Sequence, residues 1–223
     1  MKRFSYLLIF FGILFSATNT VQASIFWANE LLALNRGDSS IGDYSGWYGG
    51  NFPGAFPVSL TAAEVETAVL GAPDGFFATL PGNEAGDPTG PGDPFKWAYV
   101  DIAFGTSFGA TSDLLIQELG SSWESVQVFL WFEGGGNVQT VVTRGVDDLM
   151  VVDLDPYAAL VSANGLFSHV TLGGQDLLGG SRGFDLDAVG ITNVPEPGSL
   201  ALLGTGLLGL FTGIRRRQRI LRS

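Results

Sequence analysis

Residues 125–132 read SVQVFLWF and decide the fold class of this chain. In an extended strand, alternate residues point to opposite faces, so valine, leucine and phenylalanine fall on one face while Phe129 and Trp131 fall on the other. A strand with apolar residues on both faces is typical of the interior of a layered β protein. Three glycines at 134–136 break the pattern before residues 137–144 resume it, which predicts a β-hairpin.

Similar segments lie on both sides of this hairpin. They are short and separated by glycine-rich breaks, which favours an antiparallel sandwich over alternating strands and helices. Two short helices are expected, one after the Thr61–Glu64 capping box and one with Asp155 as N-cap. The sequence therefore predicts a mainly β chain with a single antiparallel, jelly-roll-like β-sandwich. The predicted strands are 76–80, 97–104, 113–119, 125–132, 137–144, 149–154, 167–172 and 184–191.

The composition excludes several classes of function. The chain has 223 residues, enough to bury a core, and no Cys, which excludes a disulfide scaffold and a thiolate metal site. Its 22 acidic and 11 basic residues argue against nucleic acid, because phosphates require Lys and Arg. Residues 24–194 hold four bases and 21 acids, so this part carries a formal charge of −17.

The first 23 residues have the composition of a secretory signal peptide. Two basic residues precede the ten apolar residues 6–15, and Val21 and Ala23 supply small side chains for a cleavage site before Ser24. Ten apolar residues are fewer than the ~20 that a membrane-spanning helix needs. We therefore expect a signal helix at residues 1–23, cleavage between Ala23 and Ser24, and export of the rest.

The last 29 residues place a second membrane signal at the other end. Pro195, Glu196 and Pro197 come first, followed by sixteen uncharged residues, 199–214. A helix of that length rises about 24 Å, close to the thickness of a hydrocarbon core. A basic cluster after such a helix stays in the cytoplasm, which predicts a transmembrane helix; a simple tail anchor is the alternative. The basic residues are Arg215, Arg216 and Arg217, with Arg219 and Arg222 beyond.

Residues 194–219, VPEPGSLALLGTGLLGLFTGIRRRQR, resemble the PEP-CTERM sorting signal. The Pro-Glu-Pro motif, the glycine-rich apolar helix and the arginine cluster stand in that family's order. The resemblance implies an exosortase, a membrane peptidase, as partner, with Pro195, Glu196 and Pro197 recognised as substrate. It also implies passage through the inner membrane to the cell surface or extracellular matrix of a Gram-negative, exopolysaccharide-producing bacterium. The expected organisation is signal peptide 1–23, ectodomain 24–194 and sorting signal 195–223.

Asp185 and Asp187 are the strongest candidates for a ligand site inside the ectodomain. On a strand they face the same way, roughly 7 Å apart. Carboxylates this close repel unless a cation lies between them, and calcium prefers oxygen ligands. We expect a calcium site here, with a solvated strand face as the alternative. Further candidate ligands are Asp74, Asp101 and Glu118.

Trp47 and Tyr48 are candidate sugar-stacking residues, because they precede two glycines and aromatic rings pack on the C–H faces of sugars. The leading hypothesis is therefore a non-catalytic surface or matrix protein that binds exopolysaccharide. The alternatives are a secreted polysaccharide hydrolase and a structural coat protein without a ligand. Against a serine hydrolase stand a single His, His169, and the absence of a Gly-x-Ser-x-Gly motif.

A second resemblance concerns the ectodomain. The blocks 70–75, 100–105, 113–118 and 184–189 resemble, in this order, a β-sandwich module of secreted bacterial surface proteins. The resemblance implies a fold, which does not by itself fix a function.

Overall fold

The hairpin expected around residues 134–136 is present. β8 (Ser125–Phe132) pairs antiparallel with β9 (Asn137–Thr143), from Ser125 opposite Thr143 to Trp131 opposite Asn137. The turn depends on glycine, because Gly135 and Gly136 have φ angles of +89° and +79°, a region that other residues rarely adopt. A computed structural model describes residues 24–36, 47–54, 58–81, 98–120, 124–143, 148–174 and 183–193.

Twelve strands are present in these ranges, with two short α-helices and a 3-10 turn. The strands before β8 are β1 (Ser24–Trp27), β2 (Glu30–Asn35), β3 (Trp47–Asn51), β4 (Val58–Leu60), β5 (Phe76–Leu80), β6 (Tyr99–Ala103) and β7 (Asp113–Glu118). Those after β9 are β10 (Leu149–Asp153), β11 (Phe167–Gly174) and β12 (Phe184–Asn193). The helices are α1 (Ala62–Val69), the 3-10 turn Asp155–Tyr157 and α2 (Ala158–Asn164).

The strands form two antiparallel sheets. The five-stranded sheet has the order β2-β6-β11-β8-β9. The seven-stranded sheet has the order β10-β7-β12-β5-β3-β4, and β1 also pairs with β12. One apolar cluster contains fully buried side chains from both sheets, among them Leu130 and Leu172 from the first and Leu114 and Leu186 from the second. The predicted mainly β class with a sandwich core is therefore confirmed.

The strands predicted from β5 onward are confirmed, with ends that move by a few residues. β8 has five consecutive buried residues, Val126 to Leu130, as expected of a strand with two apolar faces. β1 to β4 were not predicted, because their sequences lack a clean two-residue period. β2 carries adjacent leucines, β3 contains two glycines and β4 has three residues. Their pairing partners, rather than their own pattern, hold them in the sheets.

The two helices differ in how well the sequence anticipated them. α1 begins at the predicted capping box: Glu64 N–H donates to Thr61 Oγ1 at 3.3 Å, and Thr61 N–H donates to Glu64 Oε2 at 2.7 Å. The expectation that Asp155 caps the second helix is wrong. Asp155 is the first residue of the 3-10 turn, which has no side-chain cap, and its N–H donates to Asp153 Oδ1 at 2.9 Å.

The first and last strands of this unit lie side by side. β1 pairs with the end of β12, so that Ser24 stands opposite Asn193 and Trp27 opposite Gly190. Glycine is required at 190, since a Cβ there would lie 2.8 Å from the Trp27 ring. Residues 24–193 therefore form a unit whose two chain ends are joined by backbone hydrogen bonds.

Neither helix in the described ranges has the length and apolar character that a membrane crossing requires. The predicted signal helix at residues 1–23 and the predicted transmembrane helix of the C-terminal segment lie outside the described residues, as do Ala23 and residues 195–223.

Candidate functional site

Asp185 and Asp187 lie on β12, between neighbouring strands of the seven-stranded sheet. Each side chain is only 3% exposed, so the solvated strand face considered from the sequence is wrong. The Asp185 carboxylate accepts a hydrogen bond from the Thr79 hydroxyl on β5, at 2.5 Å. The reason for the difference is that strand alternation fixes only which side chains share a face of the sheet, and not what covers that face.

Asp187 lies at a β-bulge. The register of β12 against β7 shifts between Leu186 and Ala188. The Asp187 carboxylate accepts hydrogen bonds from the backbone N–H groups of Asp74 and Gly75, both at 3.3 Å. Partly buried backbone donors need an acceptor, and here a side chain supplies it where strand pairing is interrupted. The geometry therefore gives Asp187 a structural role in fixing the loop before β5.

The five candidate calcium ligands do not come together. Asp74 approaches Asp187, whereas Glu118 is buried on β7 and Asp101 lies on β6 of the other sheet. Among the described residues, no group of three or more Asp, Glu or His side chains is arranged to hold a metal ion. Calcium binding stays a prediction.

We expect the replacement Asp187→Asn to reduce the pH dependence of stability. Burial is the largest influence and raises the pKa of Asp187, the bonds from Asp74 and Gly75 lower it, and the nearby Asp74 charge raises it. Because the folded-state pKa is raised, the proton stabilises the fold below the unfolded pKa, and this contribution is lost as pH rises through the folded pKa. Urea unfolding from acidic to neutral pH measures the effect.

Glu66→Gln is the control for this experiment, because Glu66 is exposed on α1 and the substitution removes the same charge. The Asp187 variant should lose less stability than the parent between acidic and neutral pH, and the control should follow the parent. Parallel curves for all three proteins would contradict the structural reading of Asp187.

Trp47 and Tyr48, the predicted sugar-stacking residues, lie on β3 in the seven-stranded sheet. Tyr48 is only 4% exposed, and the half-buried Trp47 packs against the apolar core. Stacking through Tyr48 is therefore a wrong expectation, because the two glycines after it extend a paired strand instead of opening an exposed loop.

A different aromatic cluster lies on the outer face of the five-stranded sheet, the face opposite the core. Its members alternate with core residues: Trp131 lies between Leu130 and Phe132, and Thr171 lies between Val170 and Leu172. Trp131 and His169 stand opposite each other on β8 and β11, with parallel rings 5.6 Å apart and 6° between their planes. We call Asp101, Trp131, His169 and Thr171 the platform.

A chain of hydrogen bonds orders the platform. Trp131 Nε1–H donates to Thr171 Oγ1 at 2.7 Å, and the Thr171 hydroxyl donates to Asp101 Oδ1 in a short bond. These partners belong to β8, β11 and β6, three strands that are adjacent in the sheet. These two hydrogen bonds therefore fix the orientation of the indole ring. The second carboxylate oxygen of Asp101 receives no hydrogen bond from any described residue.

Ser168 fixes the orientation of His169. It lies at a bulge in β11, where its hydroxyl donates to the Trp131 carbonyl at 3.2 Å and also contacts His169 Nδ1 at 2.8 Å. With its one proton used on the carbonyl, Ser168 accepts from Nδ1–H. This tautomer leaves His169 Nε2 as a hydrogen-bond acceptor.

The electrostatics of the platform follow from partial burial. Burial raises the pKa of Asp101, against the lowering effects of the Thr171 bond and the His169 charge. Burial lowers the pKa of His169, against the raising effect of Asp101. The lowered pKa favours a neutral His169 imidazole at neutral pH, beside the Asp101 carboxyl group and the indole ring. This combination can stack on a sugar ring and accept hydrogen bonds from it.

The sequence contained only part of the signal for the platform. Strand alternation placed Trp131 opposite the core-facing residues of β8, yet its neighbour His169 is 38 positions away and Asp101 is 30 positions away. Only the strand register brings them together. A two-residue periodicity identifies faces of single strands and does not identify which strands are neighbours.

The comparisons with known proteins concern the C-terminal end of the chain. Residues 193–217 match the PEP-CTERM protein-sorting motif. The chain carries a PEP-CTERM sorting signal. The motif begins at Asn193, the last residue of β12, so the sorting signal follows the described domain directly. Searches of curated proteins and of solved structures gave no match to this chain.

The PEP-CTERM signal marks an exported protein that an exosortase processes at the membrane. Its predicted recognition residues, Pro195, Glu196 and Pro197, lie outside the described residues, together with Arg215, Arg216 and Arg217. The platform belongs to the exported domain and is separate in sequence from the PEP-CTERM segment.

Proposed function

We propose that this PEP-CTERM protein is a non-catalytic component of the cell surface or extracellular matrix of a Gram-negative bacterium, where it binds exopolysaccharide. The observation that carries the sorting half of the proposal is the match over residues 193–217. The observation that carries the binding half is the ordered Trp131–His169 pair on the outer face of the five-stranded sheet. A jelly-roll-like assignment of the sandwich is part of the same proposal.

The ends of the domain support processing on both sides. Ser24 is the first residue of β1 and Asn193 is the last residue of β12, and the two are paired. The predicted cleavage after Ala23 and the recognition motif from Pro195 both fall just beyond these strands. Cleavage at either position removes no strand of the sandwich, which suits a domain that is released or displayed after processing.

The platform supports polysaccharide binding through both shape and chemistry. Its rings are half-buried, so they keep solvent-facing surface, and they are held by hydrogen bonds instead of rotating freely. Gln139 on the adjacent β9 is exposed and adds an amide to the same face. Preorganised aromatic and polar groups reduce the entropy lost when a flexible glycan binds.

The geometry also supports a non-catalytic role. A serine hydrolase needs its acid, histidine and serine hydrogen-bonded in series. Here Asp101 is bonded to Thr171, and Ser168, which accepts from His169 Nδ1–H, donates its own proton to a backbone carbonyl. A glycosidase needs two carboxyl groups that reach the scissile bond, and the closest sequence candidates, Asp185 and Asp187, are buried.

Glycan binding tests the proposal, with Trp131→Leu as the variant and Trp47→Leu as the matched control. We expect Trp131→Leu to weaken polysaccharide binding at least tenfold, because stacking of a sugar on the indole ring is lost together with the donor to Thr171. Trp47→Leu should bind like the parent. Titration of the full-length protein in detergent against purified polysaccharides, with circular dichroism to check folding, measures this.

Three outcomes separate the candidate functions. If Trp47→Leu loses polysaccharide binding and Trp131→Leu retains it, the binding site lies at β3 and not at the platform. Release of reducing sugar during the same incubation would favour the hydrolase. Absence of binding to every polysaccharide tested would favour a structural coat protein.

A further inference from the structure

We propose that the platform prefers glycans with free amino groups, such as partly deacetylated amino-sugar polymers, over neutral glycans, and excludes anionic ones. This inference rests on the proposed polysaccharide binding and specifies its ligand class. It is carried by the position of the Asp101 carboxylate beside the stacked Trp131–His169 pair.

The platform offers a ligand hydrogen-bond acceptors and no donors of its own. The Trp131 indole N–H already donates to Thr171, and the Thr171 hydroxyl already donates to Asp101 Oδ1, so neither donor is left for a ligand. Among the four platform residues, the groups left for a ligand are the other Asp101 oxygen and His169 Nε2, and both are acceptors. Hydroxyl and ammonium groups are donors that match this surface, whereas a ligand carboxylate would place acceptor against acceptor.

The charge of the domain acts in the same direction. Residues 24–194 carry a formal charge of −17. Arg36 is the only Lys or Arg within the described ranges, where it follows β2. An anionic glycan is therefore repelled by the domain as a whole, and a cationic one is attracted and concentrated at its surface.

Partial burial makes the Asp101 charge selective. A carboxylate that has lost part of its hydration gains more from an ammonium ligand than a fully solvated one does, because water screens it less. Its hydrogen bond from Thr171 holds it in place, so a ligand amine meets a fixed acceptor. An ammonium–carboxylate bond of this kind is stronger than a bond between neutral groups.

The test compares oligomers of one amino sugar, equal in length, in fully N-acetylated and deacetylated forms. The full-length protein is titrated in detergent at low salt, in mildly acidic buffer in which the sugar amines are protonated. We expect the deacetylated oligomer to bind about tenfold more tightly, and a uronic acid oligomer of the same length to show no binding.

Asp101→Asn is the decisive variant, and Glu66→Gln is its matched control, because Glu66 is exposed on α1 outside the five-stranded sheet. Asp101→Asn should lose most of the preference for the deacetylated oligomer, while Glu66→Gln keeps the parent preference. A salt titration of the parent provides a second readout that does not depend on folding of the variant. High salt should weaken the preference for the deacetylated oligomer and leave N-acetylated binding in place.

The possible failures are distinguishable. Equal binding of the two amino-sugar oligomers by the parent, a preference that is undiminished in Asp101→Asn or in high salt, or binding of the uronic acid oligomer would overturn the inference and leave polysaccharide binding intact. Absence of binding to all three oligomers and to the native polysaccharides would overturn the proposed function itself.

Discussion

Removal of residues 195–223 is expected to abolish the membrane-bound form of the protein and leave it in the soluble exported fraction. The change is close to all-or-none, because the deleted segment contains both the recognition motif and the uncharged stretch 199–214. The uncharged stretch 199–214 is the segment expected to hold the unprocessed chain in the bilayer, so its removal should abolish that attachment. Fractionation and immunoblotting of cells that express each form measure the distribution.

A variant with Pro195, Glu196 and Pro197 replaced by alanine separates sorting from simple anchoring. It keeps the apolar stretch and the arginine cluster, so it should stay in the membrane at its unprocessed size. The parent should be shortened by the exosortase. If the alanine variant is shortened like the parent, or if the truncated protein distributes like the parent, the segment is not acting as a PEP-CTERM signal.

Phe167→Ala is expected to destabilise the exported domain more than any surface change. The Phe167 side chain is fully buried and lies against three other rings, with ring centres 5.5 Å from Phe108, 4.9 Å from Phe132 and 6.5 Å from Tyr157. Truncating a buried phenylalanine costs about 3–5 kcal/mol, from lost burial and the cavity left behind. Since native domains are stable by about 5–15 kcal/mol, this is a large fraction of the total.

Val141→Ala on β9 is the control, because Val141 is 51% exposed. Its effect should stay within about 0.5 kcal/mol, as for most surface substitutions. Urea unfolding of the exported domain, followed by tryptophan fluorescence, gives both values. Equal midpoints for the parent and Phe167→Ala would contradict the packing of β11 against the core.

The sequence pattern predicted some features of the candidate site and failed to predict others. The two-faced apolar pattern of residues 125–132 predicted where β8 runs and put Trp131 on the face opposite Leu130, but it indicated burial on both faces, whereas Trp131 is half-buried. The same reasoning put Asp185 and Asp187 on a water-facing side, which failed because alternation reports relative orientation and not burial. Both carboxylates are buried and hydrogen-bonded: the Thr79 hydroxyl donates to Asp185, and the Asp74 N–H donates to Asp187.

By itself the sequence determined the sorting of this protein and most of its strands. A sorting motif is a linear segment, and the residues of a strand or a capping box are neighbours in the chain, so local order carries their information. Only the tertiary structure decided which strands pair. That pairing joined β1 to β12 and assembled Asp101, Trp131 and His169, because antiparallel register depends on contacts between residues far apart in the chain.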